Sequence, residues 1–403
     1  MKRLARCLPL LLAGALALSG CKGGSQHETS NTFKIGVITS LTGPAAAFGQ
    51  AHKNGYTVAL NDLNAKGGVL GGKKIELVYY DDQSRPDQAV QGVSKLVDQD
   101  EVPIILGAYT SESTRAIIPA VNQKQVPLLS PTAVADNIVQ TGSPWVFRVC
   151  AGSGAYAHTT VEFLKRNGDP KTMAIIYENT NFGQSNDNSM RAEAQKAGLN
   201  VVDEEAYQAS SPDYKALLQR VKSKNPEVIY FASYLLDAST LMRQAAEVGL
   251  NPRYYTAAGT GFSAAEFPTK DKGAGEYAEY TFSVSQWLPT AKWNGSKEFD
   301  EAFTKLTGAH PAYHAMEAYA TLLVAVAAIQ KAGNAQATAI RDAIRAIALP
   351  DTPFGPIHFD EHGQNNHPVL ITQVRGGKYV VVDPPDAAEA PPVIPTPPWS
   401  KRQ

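Results

Sequence analysis

The sequence predicts an α/β protein of two lobes, each built on a doubly wound parallel sheet. Three observations carry this. Short apolar runs of strand length alternate with longer stretches of helical spacing, the rhythm of βαβ units. The rhythm runs once from Phe33 and starts again at Thr172. The strand segments are apolar throughout rather than alternating, as strands covered on both faces are.

The first copy opens with a strand at residues 33–39. A helix at 48–66 follows, with Tyr56, Ala59, Leu60 and Leu63 near one face, and Gly67 and Gly68 end it. A strand at 75–80 leads to a helix at 86–99, where Ala89, Val90, Val93, Leu96 and Val97 recur at helical spacing. Then come a strand at 103–106, a helix at 110–124 and a strand at 126–130. The second copy places strands at 172–177, 200–207, 228–232 and 253–257. Its helices fall at 182–197, 214–224 and 238–248. Helices at 297–306, 313–332 and 338–348 follow, and a β-pair of 357–359 with 369–382 closes the chain. The segments near 148–151 and 282–285 read as crossovers between the copies. The expected division is therefore 33–150 with 283–352 in lobe 1, and 151–282 with 353–384 in lobe 2.

The ends speak to location. Lys2, Arg3 and Arg6 precede a short apolar run at 8–18, and Leu18-Ser19-Gly20-Cys21 follows. A basic start, a short apolar stretch and small residues before a cut describe an export signal. The stretch resembles a bacterial lipoprotein signal, which implies cleavage after residue 20 and lipidation of Cys21. Residues 21–32 read as a flexible tether. Residues 385–403 are rich in proline and read as an extended or disordered tail. Cys150 is the one cysteine left in the folded part and reads as a small packed apolar residue. The 37 Lys+Arg and 38 Asp+Glu give a net charge of −1 with no basic block, which argues against nucleic acid as a partner.

In open parallel sheets, ligands sit beyond the carboxyl ends of the strands, so the strand-end loops are the candidate site. ILGAYTSEST, residues 105–114, crowds Tyr109, Thr110, Ser111, Ser113 and Thr114 just past a strand. Three readings compete there. A nucleophile turn needs a G-x-S-x-G pattern, which is absent. A helix N-terminus with added hydroxyls suits a carboxylate. Thr110 or Ser111 could also simply cap the helix. GGVLGGKK, residues 67–74, nearly matches a P-loop but ends in Lys74 and follows a helix, so it reads as a hairpin-like turn. His310 with His314, and His358 with His362 and His367, do not make a convincing ligand set, and no metal or cofactor is expected. Phe48, Phe182 and Tyr234 sit at predicted strand-end loops and would wall a small-molecule site if they faced one cleft. Asp237 beside Tyr234 is a candidate polar anchor or a helix cap.

The chain resembles the leucine/isoleucine/valine-binding family of ABC-transporter substrate-binding proteins over 33–383. The carrying stretches include KIGVITSLTGPAAAFGQ, ILGAYTSEST, VPLLSPTAV, IIYENTNFGQS, YFASYLLDASTLMRQAAEVGL and FGPIHFDEHG. The resemblance implies a type I periplasmic binding protein fold, with two Rossmann-like lobes joined by a three-stranded hinge and a ligand closed between them. It implies that Ser111 binds a ligand carboxylate and that Thr132 and Val134 offer backbone groups. Phe48, Phe182, Tyr234 and Tyr109 would surround the ligand. An ABC permease and its ATPases would be partners, with the lipid anchor on a membrane; a sensory module for a signalling partner is the alternative. No catalysis is implied. Two departures stand out: Val134 replaces a threonine hydroxyl, and Ala258 stands where the family has the glutamate for an α-ammonium. Asp237, and after it Glu317, are the candidate replacements.

Overall fold

The computed structural model describes residues 31–402. The expected export signal and Cys21 lie outside the described residues.

The first sheet is all parallel, in the order β2-β1-β3-β4-β5. Its elements are β1 (Thr32–Thr39), α1 (Ala46–Ala65), β2 (Lys74–Asp81), α2 (Pro86–Ser94), β3 (Ile105–Leu106), α3 (Ser111–Lys124), β4 (Leu128–Ser130) and β5 (Val146–Arg148). The chain then crosses to the second lobe. There α4 (Ser153–Arg166), β6 (Thr172–Glu178), α5 (Asn181–Ala197), β7 (Asn200–Tyr207), α6 (Lys215–Ser223), β8 (Val228–Ala232), α7 (Leu235–Glu247) and β9 (Tyr254–Ala257) follow. The second parallel sheet has the order β7-β6-β8-β9. β10 (Phe282–Ser285) lies beside β9, and α8 (Ser296–Thr307), α9 (Tyr313–Ala332) and α10 (Ala337–Arg345) return to the first lobe. A short antiparallel pair joins β11 (Ala348–Leu349) to β12 (Ile357–His358). β13 (Leu370–Arg375) and β14 (Lys378–Asp383) make a hairpin that pairs antiparallel with β10.

Each sheet is covered on both faces, which explains the apolar strands. In lobe 1 one face packs Ile35, Val37, Leu106 and Leu129 against α1, α9 and α10, and the other packs Ile38, Ile105 and Leu128 against α2 and α3. In lobe 2 Ile175 and Tyr230 face α4 and α5, while Ile176 and Phe231 face α6 and α7. The helix α9 is long and apolar enough to cross a membrane, but it is largely buried in lobe 1. It crosses α1 closely at Gly55, where a Cβ would sit 2.0 Å from the Ala315 carbonyl oxygen.

Several expectations need correcting. The helix α4 was not anticipated. The closing β-pair is instead two separate features: β12 pairs with β11, and 369–382 folds back on itself as the β13–β14 hairpin. β10 pairs with β13 along its whole length, so a boundary at 282/283 would cut a lobe 2 strand. Phe354, Ile357 and Phe359 belong to the lobe 1 core, so lobe 2 does not resume at residue 353. The proline-rich tail is packed onto lobe 2. Trp399 Nε1 donates to the Leu250 carbonyl (2.6 Å), the Thr396 N–H donates to the Arg253 carbonyl (2.9 Å), and Arg402 lies over the Trp399 ring. The turn at 67–74, by contrast, is the hairpin that was expected, with Val69 and Lys73 exchanging two 2.9 Å backbone bonds.

Three segments cross between the lobes side by side, near 148–151, 285–287 and 363–367. The Ala151 N–H donates to Gln286 Oε1 (2.6 Å), Asn365 Nδ2 donates to the Val149 carbonyl (2.9 Å), and His367 Nε2 bonds the Gln286 carbonyl (2.7 Å). Cys150 is fully buried here, as expected of a packed residue.

Candidate functional site

The strand-end loops of the two sheets face each other and touch. After β3 the chain turns at Gly107, whose φ of +137° and whose 2.2 Å approach to the Ile38 carbonyl allow no side chain. This turn carries Tyr109 and the start of α3 over the sheet edge. Thr110 caps the helix: its hydroxyl accepts the Ser113 N–H at 3.1 Å. Ser111 Oγ accepts the Ala135 N–H (3.3 Å), and Thr132 Oγ1 donates to the Tyr109 carbonyl (3.4 Å). Thr114 Oγ1 donates to the Ala108 carbonyl (3.3 Å). The hydroxyl cluster thus knits the loops after β3 and β4 together, and the Ser111 N–H faces the Tyr234 hydroxyl across the cleft. The carbonyl of Val134 is already engaged: Ser153 bonds it with its N–H and its hydroxyl, both at 2.9 Å.

The aromatic residues do converge. Phe48 stacks on Tyr109 with centroids 4.8 Å apart and planes 9° apart. Tyr234, from lobe 2, lies 6.2 Å from each of them, and Phe182 packs on Tyr234 at 4.9 Å. The cluster also holds rings not singled out from sequence. His314 is 4.9 Å from Phe48 and stacks on Tyr313 at 4.0 Å, while His52 is 5.2 Å from Tyr109. Burial pushes the His52 imidazole down to about 3 and that of His314 well below its ordinary value, so both are neutral rings. The sequence did carry a signal for His52, which follows Phe48 by four on the buried face of α1. His310, once considered with His314, instead pairs with Asp300 at the surface (2.8 Å).

The carboxyl groups sort into three environments. Asp237, the first candidate for an ammonium partner, is committed within lobe 2. Its two oxygens accept the Ser210 N–H (3.1 and 3.0 Å), and the Tyr214 hydroxyl donates to Oδ1 (2.8 Å), which fastens the loop after β7. Glu317, on α9, is fully buried at the hinge. Gln286 Nε2 donates to its Oε1 at 2.7 Å and also reaches the Tyr156 hydroxyl at 2.7 Å. Burial alone pushes the Glu317 carboxyl well above its usual range, and no described residue bonds its Oε2.

Glu178, at the end of β6, was not singled out from sequence. It is 4% exposed. Burial, then the nearby charges of Asp237 and Glu112, push its carboxyl up to about 8. Its Oε2 has no hydrogen-bond partner among the described residues. Across the cleft, Glu112 Oε1 accepts the Phe182 N–H at 2.9 Å. Thr110, Glu112, Glu178, Tyr234 and Asp237 line one pocket of about 190 Å³ at the cleft mouth. Ala258, by contrast, presents only a buried methyl, and its N–H is bonded to the Phe231 carbonyl (2.8 Å).

Residues 32–378 match the family model described as periplasmic binding protein. A leucine-, isoleucine-, valine-, threonine- and alanine-binding protein of Pseudomonas aeruginosa is 28% identical over 352 residues, covering 87% of this chain and 91% of that one. A Leu/Ile/Val-binding protein homolog of Brucella suis is 29% identical over 390 residues, covering 93% and 96%. Among solved structures, a leucine-binding protein of Thermotoga maritima superposes with a TM-score of 0.81 at 26% identity, covering 88% of this chain and 99% of that one.

Proposed function

The chain belongs to the periplasmic binding protein family, and on that premise we propose that it is the exported, lipid-anchored substrate-binding component of an ABC importer. Its ligand is a small amino acid of the branched-chain type, or a related carboxylate or amide, held between the closing lobes. The observation that carries this reading is the aromatic stack across the cleft. Phe48 and Tyr109 of one lobe meet Tyr234 and Phe182 of the other beside the donor-rich turn at Ser111. An apolar wall with a few converging polar groups is the make-up of a small-molecule site. The Pseudomonas relative's name supports an aliphatic amino acid as the ligand class.

In this reading the α3 N-terminus, Ser111 and Thr132 cradle the carboxylate, and the aromatic rings and Val134 surround the side chain. Ligand that touches both lobes favours the closed state over the open one, and the closed form docks on the permease and its ATPases. The same reading draws lobe 1 as β1–β5 with α8–α10 and the β11–β12 pair. Lobe 2 is α4–β10 with the β13–β14 hairpin and the tail. Cys21 carries the lipid.

A thermal-shift screen of residues 22–403 against the twenty amino acids, their amides and small aliphatic and aromatic acids tests the proposal. A ligand at a hundred times its Kd adds about 2.7 kcal/mol of stability. A shift with at least one aliphatic amino acid or related acid is expected. No shift with any of them would overturn the reading.

A further inference from the structure

We propose that the outer face of α8 is a self-association surface, on which two copies of this chain pair about a two-fold axis. The inference does not depend on the ligand. It concerns the side of lobe 1 away from the cleft, and no residue of the aromatic stack or the hydroxyl-rich turn lines the surface.

The surface is built around a hollow of about 850 Å³ between α1, α8 and α9. Leu63, Tyr319 and Leu323 face it, and Leu63 and Leu323 are only partly buried against the lobe 1 core. Leu306, near the end of α8, stands on its rim and is 47% exposed. Among the described residues the other large apolar side chain left so exposed is Leu236, at the cleft mouth. The chain thus carries an apolar knob beside an apolar hollow on one patch. A two-fold contact requires both on the same surface, because each copy gives its knob to the other's hollow. A partner of different sequence would call for only one of them.

The charges follow the same symmetry. Glu298, Ala302, Lys305 and Leu306 fall at i, i+4, i+7 and i+8 of α8 and all line the hollow. Other charges around it are engaged: Lys66 pairs with Asp62 (2.8 Å), and Asn294 Nδ2 donates to Asp351 (3.0 Å). Glu298 and Lys305 have no ion pair among the described residues. Laid antiparallel on its own copy, with the axis passing by Ala302, α8 sets Glu298 of each copy against Lys305 of the other. The small side chain of Ala302 lets the two helices approach closely. The same alignment carries each Leu306 to the Gly295 end of the other copy's hollow. Pro353 lies against Gly295 there, and a second depression shared by Pro353, Leu63 and Leu323 continues the apolar floor. Pairing through lobe 1 leaves the cleft open and lobe 2 free to move.

The test is sedimentation equilibrium of residues 22–403 at concentrations up to about 1 mM, where any Kd below that value reads as a rising mass. The parent is expected to approach twice the mass of one chain. Leu306→Glu is expected to weaken association at least about 100-fold, since it drives a charge into the apolar hollow. Glu298→Lys and Lys305→Glu are each expected to weaken it at least about tenfold, because each sets like charges together at two places. The double variant Glu298→Lys with Lys305→Glu is expected to return to within about threefold of the parent. All three side chains are exposed, so the variants keep the fold. A parent that stays monomeric at every concentration would overturn the proposal. So would a dimer that survives Leu306→Glu, or a double variant no stronger than the two single ones.

Discussion

Two buried glutamates flank the cleft, and they are buried for different reasons. Glu317 sits at the hinge end, where Gln286 bonds it and ties it to Tyr156 and the Ala151 N–H. Its carboxyl is shifted by burial alone. Glu178 sits at the mouth, beside two other carboxyls and an open pocket, with one oxygen unbonded. Each keeps one oxygen that no described residue bonds; what separates the two is that Glu178 lies beside other carboxyls, whereas Glu317 lies beside the neutral Gln286 and Tyr156.

The comparison can be broken most strongly through pH. Between the ordinary carboxyl value of 4.5 and about 8, folded Glu178 keeps a proton that the unfolded chain has lost. The unfolded state then binds fewer protons, so stability falls as pH rises across that window. Glu178→Gln removes this loss. Its stability advantage over the parent is expected to grow with pH from 5 to 8, by at most about 1.4 kcal/mol per pH unit. Urea midpoints across the range measure it, and a pH-independent difference would show that Glu178 is not held protonated.

Gln286→Ala attacks the hinge instead. It strands Glu317, Tyr156 and the Ala151 N–H together, for an expected loss of about 3 kcal/mol in urea unfolding. A loss under about 1 kcal/mol would mean that the hinge network is not structural. Ser111→Ala probes the opposite wall of the site. Ligand affinity should fall about tenfold in calorimetry, close to 1.4 kcal/mol, with stability within about 1 kcal/mol of the parent; unchanged affinity would remove Ser111 from the cradle. The smallest effect is expected far from the cleft. Trp399→Ala loses the bond to Leu250 and the contact with Arg402, for about 1 kcal/mol of stability and no change in ligand affinity.

The doubly wound lobes were legible because parallel strands covered on both faces must be apolar, and because their helices keep a clear 3.6 period. The helix α4 was missed although Tyr156, Ala157, Thr160, Val161 and Leu164 line its buried face. Its opening Ser153-Gly154 and its internal threonines blur that face with poor helix formers. The β10–β13 pairing joins residues far apart in the chain, and no local pattern announces such a contact. Phe48, Phe182 and Tyr234 stand out in the sequence as aromatics at strand ends, and the structure brings their rings together with that of Tyr109. Glu178 was passed over because a glutamate ending a strand looks like a solvated loop residue. Only its burial among other acids, a property of the fold, makes it unusual. Asp237 drew attention by standing next to Tyr234, but its oxygens were already assigned to Ser210 and Tyr214.

The tail also gives the molecule a built-in ruler. β1 begins in lobe 1, while Trp399 and Arg402 are fastened to Leu250 and Tyr255 in lobe 2. The two ends of the described chain therefore ride on different bodies. A donor dye before Thr32 and an acceptor after Arg402 would read the angle between the lobes directly, without touching the cleft. A chain tethered through its N-terminal segment would hold lobe 1 at the surface, leaving lobe 2 as the part that swings.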